Sequence, residues 1–200
     1  MPRDLQAEAL AEASDEVLLA RYAAGEPAAA RVLTLRLTPR VLGYAARMLG
    51  DATEAEDVAQ EAMLRLWRAA PGWRAGEAQV STWLYRVVTN LCTDRLRARR
   101  RRPATALDEA PDVPDGAIGA EAGMIEADRR VALQDALDAL PERQRQAVVL
   151  RHIEGLGNPE IAAVMDIGVE AVESLTARAK RALTAILSGR REELGYDDEA

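Results

Sequence analysis

The sequence has very little of what protein chemistry most often uses. It contains one cysteine, Cys92, one histidine, His152, and no phenylalanine in 200 residues. A single cysteine cannot close an intramolecular disulfide, and a single histidine leaves no zinc-ligand cluster. We therefore interpret both residues as structural and expect no cofactor, no metal and no catalytic constellation, so that an enzyme is the weakest hypothesis.

Long apolar runs are also missing. No stretch approaches the roughly 20 apolar residues of a membrane span. The first residues, MPRDLQAEALAEASDE, are acidic and lack the apolar centre of a secretory signal. We expect a protein without membrane insertion in the reducing environment of the cytoplasm.

Runs of β-branched and aromatic residues that would form strands are absent, whereas the helix-favouring Ala, Leu and Arg are abundant. This composition predicts an all-α fold. Residues 103–122 are rich in Pro, Gly and acids without helical periodicity, which is typical of a flexible linker. The predicted organisation is an N-terminal extension (1–19), a helical domain (20–102), the linker (103–122), a second helical domain (123–188) and an acidic tail (189–200).

Charge is strongly segregated along the chain. The formal net charge is −7, yet residues 65–102 carry ten arginines against Glu77 and Asp94. Such a basic block is the electrostatic footprint expected for nucleic-acid binding. The alternative is a solvated, arginine-rich helix end.

The segment DATEAEDVAQEAMLRLWR, residues 51–68, has helical periodicity with one apolar face. A second stripe on the same helix, here called the docking stripe, consists of Asp57, Gln60, Glu61 and Leu64. An acidic and amide stripe with one leucine suits a docking surface, and an ordinary solvated face is the alternative.

The segment STWLYRVVTNLCTDRLRARRRR, residues 81–102, predicts a helix that Ser81 or Thr82 caps. One side carries a buried apolar stripe. The opposite side, here called the strand face, collects Trp83, Arg86, Asn90, Arg97 and Arg101. Aromatic rings that stack on bases and cations that follow phosphates are the mixture that binds single-stranded nucleic acid. Trp73 lies nearby in the preceding loop, and the alternative for both tryptophans is a place in the core.

The segment from 140 to 187 predicts a helix-turn-helix. Asn158-Pro159-Glu160 predicts a helix start, with Asn158 as the cap, Pro159 in the first helical position and Glu160 in the first turn. Asp166-Ile167-Gly168 forms a tight connection before a longer, basic-ended helix. Asp tolerates a left-handed conformation and Gly is an acceptable cap. Any αα-hairpin of a helical bundle is the alternative.

In this order and spacing, the segments resemble an extracytoplasmic-function (ECF) sigma factor of the sigma-70 family. DATEAEDVAQEAMLRLW resembles the region 2.2 helix, and GWRAGEAQVSTWLYRVVTNLCTDRLRARRRR resembles regions 2.3 and 2.4. LPERQRQAVVLRHIEGLGNPEIAAVMDIGVEAVESL resembles region 4. The resemblance implies an alternative sigma factor that binds core RNA polymerase, recognises −35 and −10 promoter elements and promotes DNA melting for a stress-type regulon.

The resemblance also implies partners and residue roles. The docking stripe is expected to bind the clamp helices of the polymerase β′ subunit. The strand face, with Trp73, is expected to hold the −10 strand. Region 4 is expected to touch the β flap and to contact the −35 duplex through Glu170, Glu173, Ser174, Arg178, Lys180 and Arg181. An anti-sigma factor is expected as a further partner.

The recognition helix departs from the family pattern, because Glu173-Ser174-Leu175 stands where a basic residue, Ser and Arg are usual. This difference predicts an atypical −35 preference. Two other classes of function stay open from sequence. One is a stand-alone regulator that binds duplex DNA without polymerase, and the other is an interaction module that binds partners without starting transcripts.

Overall fold

The computed structural model describes residues 10–74, 76, 79–101 and 120–189, and within these ranges every regular element is helical. The predicted all-α fold is therefore confirmed. The first unit contains α1 (Asp15–Ala23), α2 (Pro27–Leu49), α3 (Ala52–Ala69), a 3-10 turn (Ala70–Gly72) and α4 (Val80–Arg101). The second unit contains α5 (Ala120–Asp138), α6 (Glu142–His152), α7 (Asn158–Met165) and α8 (Val169–Ser188).

The first unit is organised around α2, which packs against α1, α3 and α4. Leu10, Leu18 and Leu19 are buried in the same core. The packed part of the first unit thus begins before residue 20, where the sequence analysis placed the domain boundary. The reason is local: two adjacent leucines in a nine-residue helix give α1 an apolar side that has to be covered.

A buried polar contact joins the two longest helices of the first unit. The hydroxyl groups of Tyr44 on α2 and Thr89 on α4 are 2.9 Å apart and hydrogen-bonded. The ring of Tyr44 also meets Tyr85 edge to face, with centroids 5.5 Å apart. Burial raises the pKa of Tyr44, so its hydroxyl group stays neutral. The two hydroxyl groups satisfy each other's hydrogen-bonding capacity without water.

Helix α4 begins two residues earlier than a cap at Ser81 would allow. Val80 is already helical, so neither Ser81 nor Thr82 caps this helix. Instead, the backbone N–H of Val80 donates to a carboxylate oxygen of Glu16 in α1, at 3.1 Å. The sequence prediction was wrong here because the capping group comes from a residue far away in the chain.

The second unit contains the predicted helix-turn-helix in α7 and α8. The prediction that Asn158 caps α7 was wrong by one position: the cap is Gly157, whose backbone N–H donates to Glu160 at 2.6 Å, and Asn158 is the first helical residue. Asp166 closes α7 in the left-handed conformation, with φ 53°, and Gly168 precedes α8 as its N-cap. The predicted geometry of the turn is confirmed.

The two units pack against each other. Helix α4 contacts α7, α2 contacts α6, and the buried residues of both units form one continuous cluster. Helix α5 begins at Ala120, inside the range predicted as linker. The rest of the predicted linker and residues 190–200 of the predicted tail lie outside the described residues. None of the described helices has the length and apolarity that crossing a membrane requires.

Cys92 is fully buried in the core, and burial raises the pKa of its thiol to about 12. Because the thiolate is the reactive form, we predict negligible labelling of the native protein by iodoacetamide at pH 8 and stoichiometric labelling in guanidinium chloride. Mass spectrometry of the two samples measures the difference. Rapid alkylation of the folded chain would contradict the prediction and make Cys92 a candidate redox sensor.

Candidate nucleic-acid interface

The strand face of α4 is a helical surface that is open over most of its length. Arg86, Asn90, Arg97 and Arg101 are exposed. They recur at helical spacing because the other side of α4 is held in the core through Leu84, Val88 and Cys92. The structure therefore brings three cations and an amide onto one surface, as predicted.

The two tryptophans next to this surface meet each other. Trp73 follows the 3-10 turn, Trp83 lies in the first turns of α4, and their rings are 5.7 Å apart in an edge-to-face arrangement. Both are half-buried and pack against the core. The indole N–H of Trp73 is buried with no hydrogen-bond partner among the described residues. Neither the core nor the surface interpretation alone describes the two tryptophans, because each ring is partly buried against the core and partly exposed to solvent.

The arginine block is divided between two tasks. Arg99 donates to the carbonyl oxygen of Leu49 at 2.8 Å and forms ion pairs with Asp51 at 3.4 Å and Glu54 at 3.2 Å. Arg95 donates to the carbonyl oxygen of Glu54 at 3.0 Å. These arginines hold the end of α4 against the junction of α2 and α3. Only part of the basic block is therefore available to nucleic acid.

The helical spacing of the arginines could have predicted which of them pack against the protein, but the sequence analysis did not use it. Arg95 and Arg99 are four residues apart, on the side of α4 that follows the buried Val88 and Cys92. Their acidic partners lie at the N-terminal end of α3, where a negative charge also interacts favourably with the helix dipole.

The docking stripe of α3 borders a groove between α2 and α3. Asp57, Gln60 and Leu64 are exposed, and Glu61 is half-exposed. Residues of both helices line the groove: Thr38, Leu42, Glu56, Asp57, Ala59, Gln60, Met63, Leu64 and Trp67. The side chain of Leu64 is 42% exposed and that of Leu35, one turn before Thr38, is 67% exposed. An apolar floor with exposed leucines suits contact with another helix.

Two acids of the docking stripe already have partners. Glu61 accepts a hydrogen bond from Arg65 at 2.8 Å, which lowers its pKa, and Asp57 lies 3.6 Å from Arg95. Both contacts are at the surface, so they contribute little to stability and can be exchanged for contacts with a partner.

The helix-turn-helix presents α8 to solvent. All six residues predicted to contact duplex DNA are exposed, while Val172 and Ala179 on the other side are buried. The amide of Asn158 donates weakly to Glu173 at 3.4 Å, so the carboxylate stands at the surface between α7 and α8. Acids stand in the first half of α8, and the cations Arg178, Lys180 and Arg181 stand in the second.

A cleft separates the strand face from the second unit. Its walls include Arg86, Asn90 and Arg97 on one side and Arg143, Gln146 and Met165 on the other. The −10 and −35 candidate residues therefore do not form one continuous surface: the strand face looks towards α6 and α7, whereas α8 points to solvent. In the described part of the chain, no group of three or more potential ligands could hold a metal ion.

Two family models match this chain. Sigma-70 region 2 matches residues 33–102, and Sigma-70, region 4 matches residues 130–183, together more than half of the sequence. The chain is 36% identical over 186 residues to the RNA polymerase sigma-H factor of Pseudomonas aeruginosa, with 89% of this chain and 96% of that protein covered. It is 32% identical over 178 residues to the ECF RNA polymerase sigma-E factor of Escherichia coli K12, with coverages of 85% and 92%. The chain belongs to the extracytoplasmic-function group of the sigma-70 family.

Solved structures agree with this assignment. The sigma factor resembles CnrH in its complex with the cytosolic domain of CnrY, with a TM-score of 0.64, 28% identity and coverages of 88% of this chain and 97% of that one. It also shares the fold of RpoE in complex with the anti-sigma factor NepR from Bartonella quintana, with a TM-score of 0.62, 19% identity and coverages of 78% and 94%. The predicted family and the two helical domains are confirmed. The hypothesis of a stand-alone regulator gains no support, because the relatives are RNA polymerase sigma factors.

The two tasks of the arginine block can be separated by substitution. We predict that Arg99→Ala lowers the free energy of unfolding by about 1–2 kcal/mol, because it removes a charged donor to a helix-end carbonyl and two carboxylates. Arg97→Ala, a matched change on the exposed side, should leave stability within about 0.5 kcal/mol. Urea denaturation followed by circular dichroism measures both. Equal losses of unfolding free energy in Arg99→Ala and Arg97→Ala would contradict the division of the arginines into a packed set and an exposed set.

Proposed function

We propose that this sigma factor directs core RNA polymerase to promoters by three separate surfaces. The docking stripe binds the β′ clamp helices, the strand face with Trp73 holds the −10 strand, and α8 contacts the −35 duplex while region 4 touches the β flap. The observation that carries the proposal is the strand face itself, where exposed cations and an amide lie beside an aromatic pair.

The strand face suits melting of DNA on energetic grounds. Opening a duplex costs about 1.4 kcal/mol per base-pair step in stacking. Stacking one base on an aromatic side chain returns about 1–3 kcal/mol. A small number of captured bases can therefore offset local opening without ATP, and contacts of Arg86, Arg97 and Arg101 with phosphates add affinity that depends on salt.

The groove between α2 and α3 suits a helical partner. Its floor is apolar, its rim carries Asp57, Gln60 and Glu61, and these polar groups can fix the orientation of a docked helix. Because the groove and the strand face are on different helices, binding of polymerase and holding of DNA can occur together.

An anti-sigma factor is the further partner that we propose. The family resemblance supports it, and the shared fold extends to a sigma factor solved with an anti-sigma factor. We place the function in the cytoplasm, where core polymerase and promoter DNA are found. Its chemistry is binding without catalysis.

In-vitro transcription with core polymerase from a related bacterium tests the division of surfaces. On a pool of random promoter templates, wild type should produce discrete start sites. Asn90→Ala/Arg97→Ala should bind core normally but lower transcript yield roughly tenfold to hundredfold, because two polar contacts with the strand are lost. Asp57→Lys/Gln60→Ala should fail to copurify with core.

The two double variants control for each other, since each changes two surface residues and is expected to lose a different step. A wild-type chain that binds duplex DNA but never directs initiation would refute the proposal. Loss of core binding in Asn90→Ala/Arg97→Ala would refute the division of surfaces.

The −35 preference depends on Glu173, whose carboxylate is exposed at the start of α8. A glutamate can accept a hydrogen bond from the amino group of cytosine, a contact that discriminates by about 1–3 kcal/mol. We predict that selection from a random −35 library enriches an atypical sequence and that Glu173→Ala loses a cytosine preference at one position. Arg178→Ala, as the control, should weaken binding to all sequences alike. Recovery of the common ECF −35 sequence by wild type would contradict this prediction.

A further inference from the structure

The two tryptophans of the candidate −10 surface depend on the connection between α3 and α4. Trp73 follows the 3-10 turn in this connection, and Trp83 lies three residues after Val80, the first residue of α4. The edge-to-face contact of the two rings is therefore set by the path of the connection and by the residue at which α4 begins.

Helix α1 contacts both ends of this connection. The ring of Tyr22 packs on that of Trp67, in the last turn of α3, with centroids 4.8 Å apart. At the other end, a carboxylate oxygen of Glu16 accepts a hydrogen bond from the N–H of Val80 at 3.1 Å, and α1 also packs against the 3-10 turn between these two contacts. Glu16, which the sequence analysis placed in the N-terminal extension, thus holds the helix that carries Trp83.

Water cannot easily replace Glu16 as the partner of Val80. The first N–H groups of a helix have no intrahelical acceptor, and Val80 is fully buried. Partial burial disfavours the charge of Glu16, but hydrogen bonds from the N–H groups of Val80 and of Glu16 itself and from the hydroxyl group of Ser14 more than offset it, so the pKa of Glu16 is lowered. Glu16 is therefore an anion at neutral pH, and the N-terminal end of a helix favours such a charged acceptor.

The contact with Glu16 acts on the aromatic end of α4 alone. Trp83 lies in the first turn, so fraying of that turn would move its ring away from Trp73. Further along the helix, the hydroxyl group of Thr89 is hydrogen-bonded in the core and keeps the neighbouring Asn90 in place. Removal of the Glu16 carboxylate should therefore disturb the pair of rings without moving the amide and the cations behind it.

We propose that Glu16 is a positioning residue for the −10 strand: through its hydrogen bond to Val80 it fixes the first turn of α4, and thereby the place of Trp83 against Trp73, where a captured base stacks. This inference rests on the proposed strand-holding function. It gives α1 a task in promoter opening besides its packing. A change away from every residue that contacts DNA should then lower opening without lowering the affinity for core polymerase.

The test uses holoenzyme assembled from the full chain and core polymerase, on a promoter that wild type selects from the random pool. Permanganate reactivity of unpaired thymines measures opening per bound promoter, so that changes in −35 binding do not enter. Glu16→Ala should lower the open fraction about fivefold or more, because the stacking of one base is weakened, and should copurify with core like wild type. Glu16→Gln should stay within about twofold of wild type, because its amide oxygen can still accept from the N–H of Val80.

Glu160→Ala is the matched control. The Glu160 carboxylate accepts from the N–H of Gly157 at the start of α7, so this variant loses the same charge and the same kind of cap in the second unit. Near-ultraviolet circular dichroism, to which the two tryptophan rings contribute, should change in Glu16→Ala and stay unchanged in Glu160→Ala. Equal losses of opening in the two variants would reveal a general effect of stability and overturn the proposal.

A double-variant cycle tests whether Glu16 acts through the ring of Trp83. In the Trp83→Ala background, Glu16→Ala should cause no further loss of opening, since the ring that it positions is already gone. Additive losses, or normal opening by Trp83→Ala alone, would refute the positioning role.

The Asn90→Ala/Arg97→Ala variant separates this inference from the proposed function. If that holyoenzyme opens promoters like wild type, the strand-holding proposal falls and the role of Glu16 falls with it. If it fails to open promoters while Glu16→Ala opens them like wild type, the strand face stands and only the role of Glu16 is refuted.

Discussion

The hydrogen bond between Tyr44 and Thr89 fixes the rotation of α4, and the rest of the molecule depends on that rotation. Helix α4 has 22 residues, with one side buried in the core and the other exposed to solvent. Rotation of the helix about its axis would therefore exchange buried and exposed side chains. A turn of a single residue, about 100°, would carry Asn90 or Arg97 towards the core and Thr89 away from its partner. Because both hydroxyl groups are buried, the alternative rotations leave polar atoms unsatisfied and are disfavoured.

The same rotation explains why arginines of one block behave differently. Those on the side of Val88 and Cys92 meet α3 and the end of α2, and they become part of the packing. Those on the opposite side meet solvent and the cleft. Composition records only that the block is basic, whereas its function depends on which side of the helix each cation occupies.

Much of this was accessible from sequence because it is local. Helical periodicity predicted the exposed set on α4 and the docking stripe on α3, and the Asp166-Ile167-Gly168 connection predicted its own left-handed turn. The wrong prediction of the cap of α4, by contrast, involves a residue distant in the chain. Glu16 caps α4 across 64 positions, and no local pattern connects the two. The pairing of Glu142 with Thr93 and Arg100 likewise joins separate units, and each residue alone has the sequence features of a solvated helix.

The continuous buried cluster that spans both units has a consequence for the lifetime of the protein. Each unit is short, and a small helical domain buries too little surface to be more than marginally stable by itself. Packed together, the units should unfold as one cooperative body and expose fewer sites to proteases. Because the core is shared, a local loss of packing in one unit should also lower the resistance of the other unit to proteases.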